Sequence, residues 1–343
     1  MKNPKVLIIY TGGTIGMVND PETGALKPFD FEHLYNSVPE LKQFNYRLEA
    51  HSMKNPIDSS EMNPVIWAEI AKTIFDNYSD YDGFVVLHGS DTMAYTASAL
   101  SFMLSGLKKP VILTGSQLPI GQIRTDGKEN LITAIEIAGK LDAAGEPMVQ
   151  EVAIYFEFQL HRGNRTSKQS TSNFEAFVSD NYPLLAEAGV DIAFNQAALL
   201  RKGFQKFEVF SNFNTRIGLV KLFPGMPLSA LKSVFDPANT EGVVIESYGN
   251  GNTFSSTEFE NMIGDYMKAG GLVLNITQCG KGTVSHGKYE TSLMFVRLGV
   301  IGGYDLTAEA ALTKMMYVLG RFSDLSDRKD ALQKNICGEF TQI

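Results

Sequence analysis

Two short stretches of this chain carry hydroxyls where chemistry is done. Thr11 and Thr14 stand in Tyr10-Thr11-Gly12-Gly13-Thr14-Ile15-Gly16, straight after the apolar run Val6-Leu7-Ile8-Ile9. A second run, Gly83-Phe84-Val85-Val86-Leu87, feeds His88-Gly89-Ser90-Asp91-Thr92. Such runs read as buried strands, and the small residues after them as turns at their carboxyl ends. Open α/β sheets bind ligands at that end. A neutral hydroxyl is a poor nucleophile until a base or a polarising network stands beside it. Two hydroxyl-bearing turns at two strand ends therefore point to covalent acyl chemistry.

The competing reading of the first turn is a pyrophosphate cradle. Gly12-Gly13-Thr14-Ile15-Gly16 lacks the G-x-G-x-x-G spacing, and no clear helix start follows it. In the second turn Thr92 opens a helix beginning Met93-Ala94-Tyr95. A helix start favours negative charge, so Ser90 and Asp91 border a place suited to a carboxylate or a developing oxyanion. Asp91 can equally cap that helix, and the two roles are compatible. A third segment, Pro56-Ile57-Asp58-Ser59-Ser60-Glu61-Met62-Asn63, offers a carboxylate and hydroxyls able to grip an amino-acid backbone. A plain capping loop is its alternative. A fourth, Arg162-Gly163-Asn164-Arg165-Thr166-Ser167-Lys168, is rich in donors and also follows a strand.

These turns must be positioned by a framework, and the pattern supplies one. Strands are predicted over Val6–Tyr10, Tyr46–Ser52, Gly83–Leu87, Val111–Thr114 and Val152–Phe156, with helices over Pro64–Asn77, Thr92–Leu104 and Asn130–Lys140 between them. That alternation argues for a parallel sheet covered on both faces. Asn63-Pro64 reads as a helix cap followed by proline at the first helical position. After residue 190 the pattern loosens, and residues 195–214 read as a linker or hairpin. Strands resume over Ile217–Leu222, Gly242–Glu246 and Gly271–Ile276, with helices over Leu228–Phe235, Thr257–Ala269 and Ala308–Leu319. At 343 residues the chain exceeds the usual size of one core. The expected organisation is an α/β domain over 1–194, a linker over 195–214 and a smaller α/β domain over 215–343.

Bulk properties narrow the class. A formal charge of −8 and the absence of a basic stripe give no footprint for nucleic acid. Cys279 and Cys337 are the only cysteines, too few for a disulfide framework and without metal-ligand spacing. No run approaches a membrane span, and Met1-Lys2-Asn3-Pro4-Lys5 has no room for a signal peptide. A cytoplasmic address is expected.

The two turns, Thr11 to Gly16 and His88 to Tyr95, are similar to the paired signatures of the bacterial-type L-asparaginases, cytoplasmic type I branch. The resemblance continues through Thr114-Gly115-Ser116-Gln117, Arg162 to Lys168, Ser247-Tyr248-Gly249-Asn250-Gly251-Asn252 and Gly302 to Lys314. It implies a larger flavodoxin-like, doubly wound N-terminal domain with a smaller C-terminal α/β domain. It also implies hydrolysis of the asparagine side-chain amide to aspartate and ammonia, with no cofactor or metal, in a homodimer or homotetramer. By the same resemblance Thr14 forms a β-aspartyl ester, and Ser90, Asp91 and Lys168 form the second polar cluster. Asp58, Ser59, Ser60, Ser90 and Asp91 then hold the substrate, and Asn252 reaches a neighbouring subunit's site. Related domains serve in transfer-RNA-dependent amidotransferases, which carry an additional N-terminal domain, whereas here the first strand comes at once.

Three positions depart from the family's pattern. Ser90 stands where threonine is usual, which keeps the hydroxyl but loses the methyl that stiffens χ1. Lower activity than a Ser90→Thr variant is expected. The segment Met17 to Leu26, read as a lid, has no tyrosine, and the next one, Tyr35, is not assigned that role. Glu246 stands before the Ser-Tyr-Gly turn, where relatives regulated by asparagine carry arginine. Hyperbolic asparagine saturation is expected.

Overall fold

The computed structural model describes residues 3–19, 26–28, 38–201, 205–287 and 290–342. The chain separates into two compact units, Met1–Ser211 and Asn212–Ile343. The division falls inside the stretch read as a linker. Just before it, Glu208–Val209 pairs antiparallel with Leu104–Ser105, so that part belongs to the first unit.

The first unit is built on a sheet of strands β1 (Lys5–Gly12), β2 (Arg47–Ile57), β3 (Gly83–Leu87), β4 (Val111–Thr114), β5 (Val152–Phe156), β6 (Gln159–Arg162), β7 (Ala186–Ala188) and β8 (Ile192–Phe194). The first five are parallel and lie in the order β2-β1-β3-β4-β5, the flavodoxin-like arrangement. Successive side chains of a strand point to opposite faces, yet Val6, Leu7, Ile8 and Ile9 are all buried. Both faces are covered, which is why these strands are continuously apolar. Helix α3 (Gly127–Gly139) covers one face, with Leu131, Ala134 and Ile135 in one cluster with Val6, Ile8, Val85 and Ile112. Helix α1 (Pro64–Asp76) packs on α2 (Met93–Met103), which is buried almost all round. Asn63 caps α1 by accepting from the backbone N–H of Val65 and Ile66, as its sequence predicts.

The order reverses at β1: β2 is added on one side and β3 on the other. Such a switch point opens a crevice outside the carboxyl ends of the strands. Those ends are the two hydroxyl-bearing turns.

The alternating pattern does not foresee the antiparallel edge β6-β7-β8. The β5–β6 hairpin turns through Glu157 and Phe158, both at positive φ (44° and 66°). Two positive φ values are the requirement of a type I′ turn, normally met by asparagine and glycine. Neither residue announces the turn.

The second unit carries four parallel strands in chain order, β9 (Ile217–Lys221), β10 (Gly242–Ser247), β11 (Leu272–Thr277) and β12 (Ile301–Gly302). Helix α4 (Thr257–Lys268) buries Phe259, Ile263 and Tyr266 against Val243, Ile245 and Val273. Helices α5 (Glu290–Leu298), α6 (Ala308–Arg321) and α7 (Leu325–Gln333) complete it. The helix expected over Leu228–Phe235 is a single 3-10 turn, Leu228–Leu231. Its later carbonyls go elsewhere: Val234 O accepts from the Thr240 hydroxyl, and Ser233 O from the Asn239 amide. Among the described residues no helix is long and apolar enough to cross a membrane.

Candidate active site

Gly12 and Gly13 have φ of +123° and +84°, a region that L side chains rarely adopt. A Cβ on Gly12 would fall 2.0 Å from the carbonyl oxygen of Ile57, and one on Gly13 2.4 Å from the backbone nitrogen of Gly89. A Cβ on Gly89 would in turn lie 2.5 Å from Ser59 Oγ. Three turns, from the ends of β1, β2 and β3, thus meet, Gly12 on Ile57 and Gly13 on Gly89 backbone to backbone and Gly89 on the Ser59 side chain, and only glycine permits the approach. Thr14 follows Gly13, and Ser90 follows Gly89. The two hydroxyl-bearing residues leave from touching backbones.

Hydrogen bonds fix the contact. Thr11 Oγ1 donates to Leu87 O at 2.9 Å, tying β1 to β3 at their ends, and Thr92 Oγ1 donates to Ser59 O at 2.7 Å. Behind the β3 turn lies His88, wholly buried. Its Nδ1 lies 2.6 Å from Gly89 O and its Nε2 2.8 Å from Thr96 Oγ1, which also accepts from Trp67 Nε1 at 2.9 Å. A carbonyl only accepts, so Nδ1 carries the proton and Nε2 accepts from the threonine. Burial pushes this imidazole down to about 4, leaving it neutral near pH 7.

Thr14 opens a single 3-10 turn, Thr14–Gly16, and is half-buried. Ser90 is half-buried as well. Lys168 comes from the short strand Ser167–Lys168, paired with Phe177–Val178. Its Nζ reaches Ser90 Oγ at 2.9 Å and Asp91 Oδ1 at 2.5 Å. Asp91 therefore pairs with this lysine, and no side-chain cap bond holds the start of α2. Asp58 lies just past the end of β2, its carboxylate accepting from the backbone N–H of Ser60 at 2.9 Å. Bonds from Ser60 hold the Asp58 carboxyl below the usual range, so it presents negative charge. Ser60 and Asp58 are exposed, and Ser59 is buried under Gly89. The assembly brings a half-buried threonine, a second hydroxyl held by an amine, and an anionic carboxylate to the carboxyl ends of adjacent strands. That equipment suits attack on a carbonyl and capture of a small zwitterion.

The other donors of the Arg162–Lys168 segment serve the fold. Arg162 is buried against Glu151, with Nε to Oε2 at 2.6 Å, and Arg165 donates to Asn181 O at 2.7 Å. Asn252 belongs to the second unit, in the tight turn where its backbone N–H returns to Tyr248 O at 2.8 Å.

Family models match nearly the whole chain: "Asparaginase, N-terminal" over residues 5–200 and "Glutaminase/Asparaginase C-terminal domain" over 216–332. The chain is 39% identical to L-asparaginase 1 of Escherichia coli K12, over 99% of each protein. It belongs to the asparaginase family.

Its structure is similar to the crystal structure of L-asparaginase I from Vibrio cholerae, with a TM-score of 0.90, 36% identity and coverage of 99% of this chain and all of that one. The mouse protein named 60 kDa lysophospholipase is 37% identical over 98% of this chain, which spans 62% of that longer protein. Within this asparaginase-family chain, Met17–Asn19 and Leu26–Pro28 pair antiparallel. Residues 20–25 of the expected lid, and Tyr35, lie outside the described residues. Sequence reasoning gave no role to His88 or Gln117, and both border the site. The signal for Gln117 was present: Thr114-Gly115-Ser116-Gln117 is another small-residue turn at a strand end, that of β4.

Proposed function

We propose that this chain is an L-asparagine amidohydrolase, acting through an ester on Thr14. The observation that carries the reading is the bond pair from Lys168 Nζ to Ser90 and Asp91, set directly behind the turn that Gly13 touches. Thr14 Oγ attacks the side-chain amide carbon as its proton passes to the Ser90–Lys168–Asp91 cluster. The tetrahedral centre collapses, the C–N bond breaks, and ammonia leaves with a proton returned by the same cluster. Water then adds to the β-aspartyl ester and regenerates the Thr14 hydroxyl, so one hard displacement becomes two easier ones. Asp58 and Asp91 draw the substrate ammonium, while Ser59, Ser60 and Ser90 meet the rest of its zwitterionic end. Asn252 is assigned to a neighbouring subunit's site in a homodimer or homotetramer, and the enzyme to the cytoplasm. Glu246 pairs with Lys221 at 3.4 Å, and this negative position supports hyperbolic asparagine saturation. A sigmoid curve contradicts that part.

Ammonia release from L-asparagine, L-glutamine and D-asparagine tests the reading, with Thr14→Ala as control. L-asparagine should be the fastest, and Thr14→Ala should lose at least about a thousandfold in kcat. A Thr14→Ala enzyme at the wild-type rate contradicts it.

A further inference from the structure

Serine at position 90 has no β-methyl to restrict χ1, so its hydroxyl must be held from outside. Two groups do this. Lys168 Nζ donates to Ser90 Oγ at 2.9 Å, and Ser90 Oγ donates to Gln117 Oε1 at 3.4 Å. Gln117 is itself anchored at three points. Its Nε2 donates to Asn173 O at 3.0 Å, and its backbone N–H donates to the two oxygens of the buried Asp126 carboxylate at 2.9 and 3.1 Å. The Asn173 carbonyl accepts only, so it fixes which way round the glutamine amide sits and leaves Oε1 for the serine.

A serine hydroxyl has one proton and two lone pairs. Lys168 occupies one lone pair and Gln117 takes the proton. One lone pair remains, and it accepts a hydrogen bond from the Thr14 hydroxyl and so aims it; the proton Thr14 gives up goes to the Asp91 carboxylate of the cluster, since Lys168 donates here and an amide oxygen is no base. We propose that Gln117 is a positioning residue for amide hydrolysis: its Oε1 orients the Ser90 hydroxyl so that the free lone pair serves Thr14, the task a β-methyl performs when threonine stands at this position. The inference rests on the reading that Thr14 and Ser90 act on one amide. At 3.4 Å the bond is long, so its effect is modest beside that of losing Thr14.

The test is a cycle of wild type, Gln117→Leu, Ser90→Thr and the double variant, read as kcat and KM for ammonia release from L-asparagine. Gln117→Leu should lower kcat about tenfold in the wild-type background with KM within about twofold, and less than about twofold in the Ser90→Thr background. Should Gln117→Leu fail to fold, Gln117→Met, nearly the same shape without the oxygen, takes its place in the cycle. Equal losses in both backgrounds, or a change confined to KM, overturns the proposal. Thr14→Ala runs alongside. If it is inactive while the cycle is additive, only the role of Gln117 falls; if it keeps the wild-type rate, both readings fall.

Discussion

Two lysines of this molecule stand beside carboxylates, one in each unit, and their settings differ. Lys168 Nζ lies 2.5 Å from Asp91, with side chains 14% and 66% exposed. Lys314 Nζ lies 2.8 Å from Glu339, and both side chains are fully buried. Around Lys314 the structure supplies further partners: the carbonyl of Lys334 at 2.7 Å and the ring of Phe340 at 4.6 Å. Glu339 accepts from the backbone N–H of Ile336 and Cys337. Burial pulls the Lys314 amine below its ordinary range, and Glu339 pushes it back up. The sealed pair staples the tail after α7 to helix α6. The open pair keeps its carboxylate in water at the end of β3, where the proposed reaction needs a group that exchanges protons. On that proposal one chemical pair does two jobs, and access to the outside decides which.

Exchanging each lysine for methionine should split these roles. Lys168→Met should lower kcat by about 10²- to 10⁴-fold, while unfolding in urea shifts by less than about 1 kcal/mol, because its carboxylate partner is largely exposed. Lys314→Met should do the reverse. It leaves Glu339 buried without its cation, a loss of about 3–5 kcal/mol, while kcat per folded molecule stays unchanged. A Lys314→Met protein as stable as wild type, or a Lys168→Met enzyme at full rate, breaks the contrast.

Acid sharpens it within the first unit. Burial pushes both His88 and His161 down to about 4 from an ordinary 6.5. The unfolded chain therefore binds these protons first. Their stabilisation is complete above about pH 6.5 and is lost as pH falls towards 4, about 3 kcal/mol for each imidazole. Urea midpoints measured between about pH 7 and pH 4 should fall, less steeply in a His161→Gln variant. An identical slope in that variant contradicts the assignment. The smallest effect is expected at the hydroxyl. Because Lys168 and Gln117 already hold Ser90, Ser90→Thr should raise kcat by only about twofold. A Ser90→Thr enzyme no faster than wild type removes the methyl's role.

Much of this was legible in the residues. Continuous apolar runs marked β1, β3, β4 and β5, because strands covered on both faces need no alternation. Thr14, Ser90, Asp91 and Lys168 each follow or join a strand end, where ligand chemistry gathers. What escaped had a physical reason. Helix α7 has few apolar residues and is started by Asp324, which accepts from the N–H of Ser326 and Asp327, a local bond weaker in pattern than a hydrophobic stripe. The β5–β6 hairpin turns through Glu157 and Phe158, residues that do not advertise positive φ. His88 is tied through Thr96 to Trp67, and Gln117 to Ser90 and Asn173, contacts that only folding brings together and that leave no local pattern.

The most direct test of a threonine ester is to find one. Lys168→Met, slowed at the chemical steps, should be mixed with L-asparagine, quenched in acid and digested for mass spectrometry. The peptide containing Thr14 should gain the mass of one aspartyl group, fragmentation should place it on Thr14, and Thr14→Ala should show none. An aspartyl group on Ser90 or on any residue other than Thr14 would contradict the account.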